Sequence, residues 1–148
     1  MADGFDITIR GLNEVGARLL AFSEAVSKKV TRDAAVAAAE VFQEEAIFNI
    51  RASDGPHKLK VHGEYITIYP GNLKQNIKIK TLRKMVRGQI DVQVYVKKDH
   101  AWYGVFYENG TSRMAGRHFM ARAFETKQAE VPAIFKARIE EAIRQGGL

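Results

Sequence analysis

Apolar residues recur three and four positions apart from the N-terminal region to residue 51, which predicts one hydrophobic stripe along an α-helix. Asn13 is the expected N-cap. Thr31 and Asp33 also suit a helix start, so the stretch is either one helix about 58 Å long or two helices with a kink near 27–31. The stripe consists of Leu12, Val15, Leu19, Phe22, Val26, Val30, Ala34, Ala37, Val41 and Phe48.

The alanine-rich run AAVAAA at 34–39 predicts close packing of this helix against a second helix, because small side chains let two backbones approach. The partner is either the C-terminal helix of the same chain or a helix of a neighbouring subunit. A stretch at 117–145 is the expected C-terminal helix, and Pro132 should kink it or divide it in two. Its core stripe is Phe119, Met120, Phe124, Val131, Phe135, Ile139 and Ile143.

Alternating apolar and polar residues predict β-strands between the helices and near the N-terminus. They lie at 5–10, 65–69, 77–82 and 89–96. The last two flank a turn at Arg87-Gly88 and should form an antiparallel hairpin with one face on the long helix. Residues 53–69 are expected to form a protruding loop or hairpin, and 70–76 a turn followed by one helical turn. We therefore expect a single α+β domain over 1–148, with the long N-terminal helix and the C-terminal helix packed on a small antiparallel sheet.

Positive charge is concentrated in the middle third of the chain. Residues 51–100 contain 11 Lys or Arg and 4 Asp or Glu, which is a net charge of +7, whereas the whole chain has +6. Such a patch suits nucleic acid or an acidic protein surface, and it equally suits a solvated sheet face with lysines on its edges. The candidate contact residues are Lys58, Lys60, Lys78, Lys80, Arg83, Lys84 and Arg87.

The sequence offers little for catalysis. It has no cysteine, no glycine-rich phosphate loop and no paired acid and base. His57 and His62 share a lysine-rich loop without other metal ligands, so we expect no metal, no cofactor and no enzymatic activity.

No apolar run is long enough to span a membrane, and the N-terminus lacks the apolar core of a secretion signal. We expect synthesis in a reducing cytoplasm.

The densest cluster of aromatic residues opens the stretch AWYGVFYENGTSRMAGRHFMARAFE at 101–125. It contains Trp102, Tyr103, Phe106 and Tyr107. The pair Asn109-Gly110 favours a tight turn, because both residues tolerate positive φ. A polar loop follows, and then the start of the C-terminal helix. This order suits an aromatic anchor followed by a hinge. The aromatic side chains either contact a partner protein or belong to the core. The hydroxyl groups of the loop either contact a partner or form hydrogen bonds with the backbone of the loop.

This stretch resembles the signature of a tailed-phage morphogenesis family, the neck, head–tail joining or tail-component proteins of lambdoid (HK-type) phages with long non-contractile tails. The family pattern has an aromatic run followed by a G-T-S-(K/R)-M loop and a basic apolar segment. The upstream PGNLKQNI at 70–77 resembles the family's T-G-x-L-x-x-S-I. Pro70, Asn76 and His118 depart from the usual Thr, Ser and Pro, and the 53–69 segment is longer than the family's loop.

The resemblance implies a structural protein of the virion at the head–tail junction or the tail end, made in the cytoplasm of the bacterial host. It implies contact with other head–tail connector and tail proteins, assembly into a ring around the DNA channel, and no membrane partner. The candidate protein-interface residues are Leu73, Trp102, Tyr103, Phe106, Thr111, Ser112, Arg113, Arg117 and Phe119. The alternatives are a basic nucleic-acid-binding module using 58–87 and a toxin or other small enzyme.

Overall fold

The helices and strands come from a computed structural model that describes residues 4–8, 18–19, 22–81 and 91–146. The described strands are β1 Gly4–Thr8, β2 His57–Val61, β3 Glu64–Ile68, β4 Ile77–Thr81, β5 Asp91–Val96, β6 Gly110–Thr111 and β7 Met114–Ala115. The described helices, numbered within these residues, are α1 Glu24–Asn49, α2 Asn72–Gln75, α3 Lys98–Ala101, α4 Gly104–Asn109, α5 Phe119–Lys127 and α6 Glu130–Arg144.

The long N-terminal helix is present as α1, but neither expected form of it is found. Residues 22 and 23 are not helical, so the helix is not unbroken from the N-terminal region to residue 51, and there is no kink near 27–31. α1 runs unbroken through this region, and the helix start lies at Ser23, whose hydroxyl accepts a hydrogen bond from the Val26 amide at 3.3 Å. The Thr31 hydroxyl donates to the Ser27 carbonyl at 2.7 Å within the helix instead of capping a new start. The predicted Asn13 cap lies outside the described residues.

The buried face of α1 differs from the predicted stripe at its C-terminal end. The buried residues of this half are Ala34, Ala35, Ala37, Ala38, Ala39, Phe42 and Ala46, with Ile50 at the C-cap. Phe48 was predicted to belong to the stripe, but its side chain is 80% exposed. A position six residues after Phe42 points away from the Phe42 side of an α-helix, because 3.6 residues make one turn.

The three-stranded sheet is antiparallel in the order β1-β5-β4. β4 and β5 pair from Ile77 opposite Val96 to Thr81 opposite Val92, as the alternation predicted, and the connecting turn lies outside the described residues. Val92, Val94 and Val96 are buried, whereas the residues between them are half-buried. One face of β5 therefore belongs to the core.

The C-terminal helix is divided in two, as Pro132 predicted. α5 ends at Lys127 and α6 begins at Glu130, so Pro132 lies in the first turn of α6. Amide groups in the first turn of a helix have no intrahelical acceptor, so the missing N–H of proline costs nothing there. Phe119, Val131 and Ile139 are buried as expected, but Phe124 is 41% exposed.

α1 packs on β4 and β5 and also on α5 and α6, so both the sheet and the C-terminal helices bury their apolar faces against it. This arrangement explains its alanine-rich run, since Ala38 and Ala39 are fully buried. Polar side chains of α1 also form hydrogen bonds with its neighbours. The Gln43 side-chain amide donates to the Ile77 carbonyl at 2.6 Å, and the Asn49 side-chain amide donates to the Phe119 carbonyl at 3.2 Å. The predicted α+β class is confirmed.

Residues 57–68 form a separate antiparallel hairpin of β2 and β3, paired from His57 opposite Ile68 to Val61 opposite Glu64. The two residues between the strands, His62 and Gly63, have φ of 49° and 88°. Positive φ at both central residues is the geometry of a type I′ turn, which matches the twist of a two-stranded hairpin. Most side chains of this hairpin are exposed.

Candidate docking surface

The two sequence motifs that carry the family resemblance meet in the fold. The Asn72 side-chain amide donates to the Tyr103 hydroxyl at 2.8 Å, which joins the 70–77 turn to the aromatic run. Gly104 lies against the same turn, because a Cβ built there would come within 2.8 Å of the Leu73 Cδ1 atom. The Lys97 amide also donates to the Asn76 carbonyl at 2.8 Å. The two motifs therefore form one packed unit.

Within the 70–77 motif the polar residues serve the backbone. Gly71 adopts a φ of 80°, which admits the turn that starts α2. Asn76 is buried, and its amide donates to the Asn72 carbonyl at 2.7 Å and to the Asn72 side-chain oxygen at 3.3 Å. A buried amide with satisfied hydrogen bonds orders the turn. The asparagine at this position, where the family usually has serine, thus has a structural use.

The aromatic run follows α3: Trp102 and Tyr103 are the two residues between α3 and α4, and Phe106 and Tyr107 lie in α4. The Trp102 ring packs edge-on against Tyr103 and against Phe106, with ring centroids 6.0 Å apart in both pairs. Trp102 and Tyr103 are half-buried, whereas Phe106 is 47% exposed. Trp102 therefore supports an exposed Phe106 from one side and the Tyr103 that bonds to Asn72 from the other.

Two glycines hold the loop after α4 against the helix end. Gly110 has a φ of 82°, and a Cβ there would lie 2.5 Å from the Gly116 amide nitrogen. A Cβ on Gly116 would lie 2.6 Å from the Glu108 carbonyl oxygen. β6 and β7 therefore form a hairpin whose base is pressed onto the last turn of α4. The Arg117 amide completes the junction by donating to the Tyr107 carbonyl at 2.8 Å.

Glu108 caps the start of α5 from a distance. Its two carboxylate oxygens accept hydrogen bonds from the Met120 amide at 2.9 Å and the Ala121 amide at 3.1 Å. These are the amides that an N-cap side chain normally serves, and the residue at the cap position, His118, provides no such bond. The carboxylate also faces the positive end of the helix dipole. Glu108 thus ties α4 to α5 across the hairpin.

Replacing Glu108 with alanine should lower the free energy of unfolding by about 1–2 kcal/mol, because two helix N-terminal amides lose a charged acceptor. Glu108→Gln should cost less, since the amide oxygen still accepts one bond. Urea denaturation monitored by circular dichroism measures both. Glu125→Ala, at an exposed position of α5, is the control and should change stability by less than about 0.5 kcal/mol. Equal losses for Glu108→Ala and Glu125→Ala would contradict the capping role.

The tip of the β6–β7 hairpin is exposed. The Arg113 amide donates to the Thr111 hydroxyl oxygen at 3.2 Å, so this hydroxyl stabilises the turn. Ser112 and Arg113 are exposed, and Met114 is 42% exposed. An arginine and a methionine are therefore presented at the end of a short hairpin that the two glycines keep in place.

The structure separates the predicted interface residues into three groups. Phe106, Thr111, Ser112, Arg113 and Arg117 are exposed. Trp102 and Tyr103 are half-buried. Phe119 is fully buried and Leu73 is 6% exposed, so in this chain both lie in the core beneath the exposed residues. The docking surface, as the term is used below, consists of Phe106, Thr111, Ser112, Arg113, Met114 and Arg117.

Four of the seven predicted basic contact residues are described, and they lie on two separate sheets. Lys58 and Lys60 are exposed on the β2–β3 hairpin, and Lys78 and Lys80 are exposed on β4. The Lys80 ammonium lies 4.8 Å from the centre of the Tyr95 ring, which is a cation–π contact. Arg83, Lys84 and Arg87 lie outside the described residues.

Sequence reasoning missed the capping role of Glu108 and the exposure of Phe48. A carboxylate that caps a helix start more than ten residues later has no local signature, unlike the three-residue spacing of a capping box.

In the part of the chain that the structure describes, no three His, Cys, Asp or Glu residues converge as metal ligands. No helix in the described ranges combines the length and the apolar character needed to cross a bilayer.

A family model described as "Bacteriophage HK97-gp10, putative tail-component" matches residues 13–110, about two thirds of the chain. The match covers the 70–77 motif and the aromatic run and ends at Gly110. Neither the curated proteins nor the solved structures contain a match to this chain. The family match supports a structural role in the phage virion, with other virion proteins as partners. With α1, the 70–77 turn and the aromatic run all inside the matched range, this chain belongs to the HK97-gp10-like family of phage tail components.

Proposed function

We propose that the protein completes the virion at the head–tail junction or at the tail end, where copies of it form a ring around the DNA channel. Its partners in this proposal are other copies of the chain and the connector and tail proteins on either side. It acts through protein–protein contacts alone. Family membership supports the structural role, and the position and the ring are the added steps of the proposal.

The observation that carries this proposal is the docking surface. Its hairpin presents Arg113 and Met114 in solvent, while Gly110 and Gly116 fix the hairpin base on α4. A surface held by backbone packing loses little conformational entropy when a partner binds. Arginine and exposed aromatic or methionine side chains are also enriched at protein interfaces. This combination suits recognition of another protein better than it suits chemistry.

Deleting the gene from the phage or prophage and examining the lysate by electron microscopy tests the function. We expect DNA-filled heads separate from free tails, or tails of abnormal length, and plasmid-borne protein should restore normal particles. Intact and infectious particles from the deletion strain would remove the protein from virion assembly.

A nucleic-acid-binding module is the competing function, and the four exposed lysines on β2 and β4 are the observation that favours it. Binding to DNA phosphates is steeply salt-dependent, because counterions are released from the DNA. We expect the purified protein to show weak retention on DNA at low salt and none at moderate salt. Tight retention that falls by orders of magnitude between about 50 and 200 mM salt would favour the nucleic-acid module instead.

A further inference from the structure

The β2–β3 hairpin has two chemically different faces. Residues paired across an antiparallel hairpin project to the same side. Lys58 is opposite Thr67 and Lys60 is opposite Tyr65, and all four side chains are exposed. Tyr65 is 68% exposed, and the Lys60 ammonium lies 5.9 Å from the centre of its ring. The lysine–tyrosine face, defined as these four residues, carries two positive charges and no carboxylate.

The opposite face of the hairpin carries most of its apolar side chains. Leu59 is opposite Ile66, and His57 is opposite Ile68. Ile68 is buried at 6% exposure, Leu59 is half-buried, and Ile66 is 41% exposed. The more shielded side of the hairpin is therefore the apolar one, and the lysine–tyrosine face is the one that is open to solvent.

A surface of opposite charge lies on α1. Asp33, Glu40 and Glu44 are exposed, and their spacing of seven and four residues puts them along one side of the helix. Phe48 continues this line four residues later and is 80% exposed. Residues 33–50 contain no lysine or arginine, so nothing within that segment neutralises Glu40 and Glu44, whereas Asp33 lines a cavity together with Lys29 and Arg138. The acidic strip is defined as Asp33, Glu40, Glu44 and Phe48.

We propose that the lysine–tyrosine face of one copy binds the acidic strip of the next copy. The two surfaces are complementary in charge, and both carry an exposed aromatic ring, which is a typical anchor of a protein interface. Both remain exposed within a single chain, so neither is satisfied by the other in the same copy. Because the surfaces are different, the contact is head-to-tail, and a head-to-tail contact closes into a ring when its rotation allows.

This inference rests on the ring proposed above and assigns the contact between its subunits. DNA is the other class of partner that two lysines and a tyrosine could meet. We assign the lysines to a second copy because the acidic strip offers them a surface of opposite charge, and exposed aromatic rings on both surfaces are typical of protein interfaces. The docking surface then remains available for the neighbouring virion proteins.

Cysteine cross-linking in virions tests the contact directly, since the chain has no cysteine of its own. Tyr65→Cys and Phe48→Cys are introduced together, the protein complements the deletion strain, and purified particles are treated with a mild oxidant that converts close thiol pairs to disulfides. We expect a ladder of dimers and higher multimers on non-reducing gels. Each single variant should give only monomers, because its cysteine has no partner in a head-to-tail contact.

Monomers alone from the double variant, in infectious particles that contain the protein, would overturn the inference and leave the proposed function standing. Dimers without higher multimers from a single variant would indicate a symmetric contact and would also overturn it. Absence of the wild-type protein from purified particles would instead overturn the proposed function itself.

Charge reversal provides a second measurement that does not depend on cysteine geometry. Lys58→Glu with Lys60→Glu should lower complementation at least about tenfold, because like charges then face each other. Adding Glu40→Lys with Glu44→Lys should restore it. Lys136→Glu with Arg144→Glu, a double charge reversal at exposed positions of α6, is the control and should complement normally. Failure of the second pair to restore function, together with lost salt-sensitive DNA retention, would assign the lysines to DNA.

Discussion

Arg113→Glu should abolish the production of infectious particles while leaving the fold and stability of the protein unchanged. Arg113 is exposed at the tip of the β6–β7 hairpin, where only its backbone amide has a role in the turn. Its side chain can therefore be replaced without disturbing the turn. A glutamate reverses the charge at the centre of the docking surface, and like charges across an interface cost several kcal/mol. That cost is enough to prevent assembly.

Complementation of the deletion strain and electron microscopy of its lysate measure this effect. We expect separated heads and tails, and at least about a hundredfold fewer plaques if the lost contact is worth about 3 kcal/mol. Arg113→Lys keeps the charge and should retain part of the activity. Lys136→Glu makes the same change of charge at an exposed position of α6 and should complement normally. An unfolded Arg113→Glu protein, or normal virions from it, would contradict the prediction.

Phe119→Ala should lower the free energy of unfolding by about 3–5 kcal/mol, which is a large part of the 5–15 kcal/mol typical of a domain. Phe119 is fully buried, and its ring lies 5.7 Å from that of Tyr107, measured between ring centroids. Its carbonyl accepts the hydrogen bond from the Asn49 side chain. Truncation thus opens a cavity where α1, α4 and α5 meet. The cost is large because the surrounding helices cannot move inward far enough to fill this cavity.

Urea denaturation of the purified protein tests this prediction and also decides what Phe119 does. A core residue should lose stability in proportion to the volume removed, so Phe119→Leu should cost less than Phe119→Ala. A residue used for contact with a partner would instead lose complementation at unchanged stability. Phe106→Ala is the matched aromatic control, since its ring is 47% exposed, and it should cost less than about 1 kcal/mol.

Periodicity identified several elements of this fold, because it depends only on local geometry, but it did not predict α3, α4 or the β6–β7 hairpin. The alternation in 77–82 and 89–96 predicted β4 and β5 with their antiparallel pairing, and Pro132 predicted the division of the last helix. The same local signals were insufficient for Phe48, whose exposure depends on which side of α1 receives the sheet and the C-terminal helices. An apolar side chain at plausible helical spacing looks the same in the sequence whether its side of the helix is covered or open.

For the candidate site, the sequence by itself determined the residue types and their order: an aromatic run, a turn, and a small polar loop with an arginine. Only the tertiary structure decided their roles. It placed Leu73 and Phe119 in the core, left Arg113 exposed and used Glu108 as a helix cap. It also joined the 70–77 turn to Tyr103. These outcomes depend on contacts between residues distant in the chain, which form only when the long helix and the sheet bring them together, whereas helix and strand periods are set by neighbouring residues.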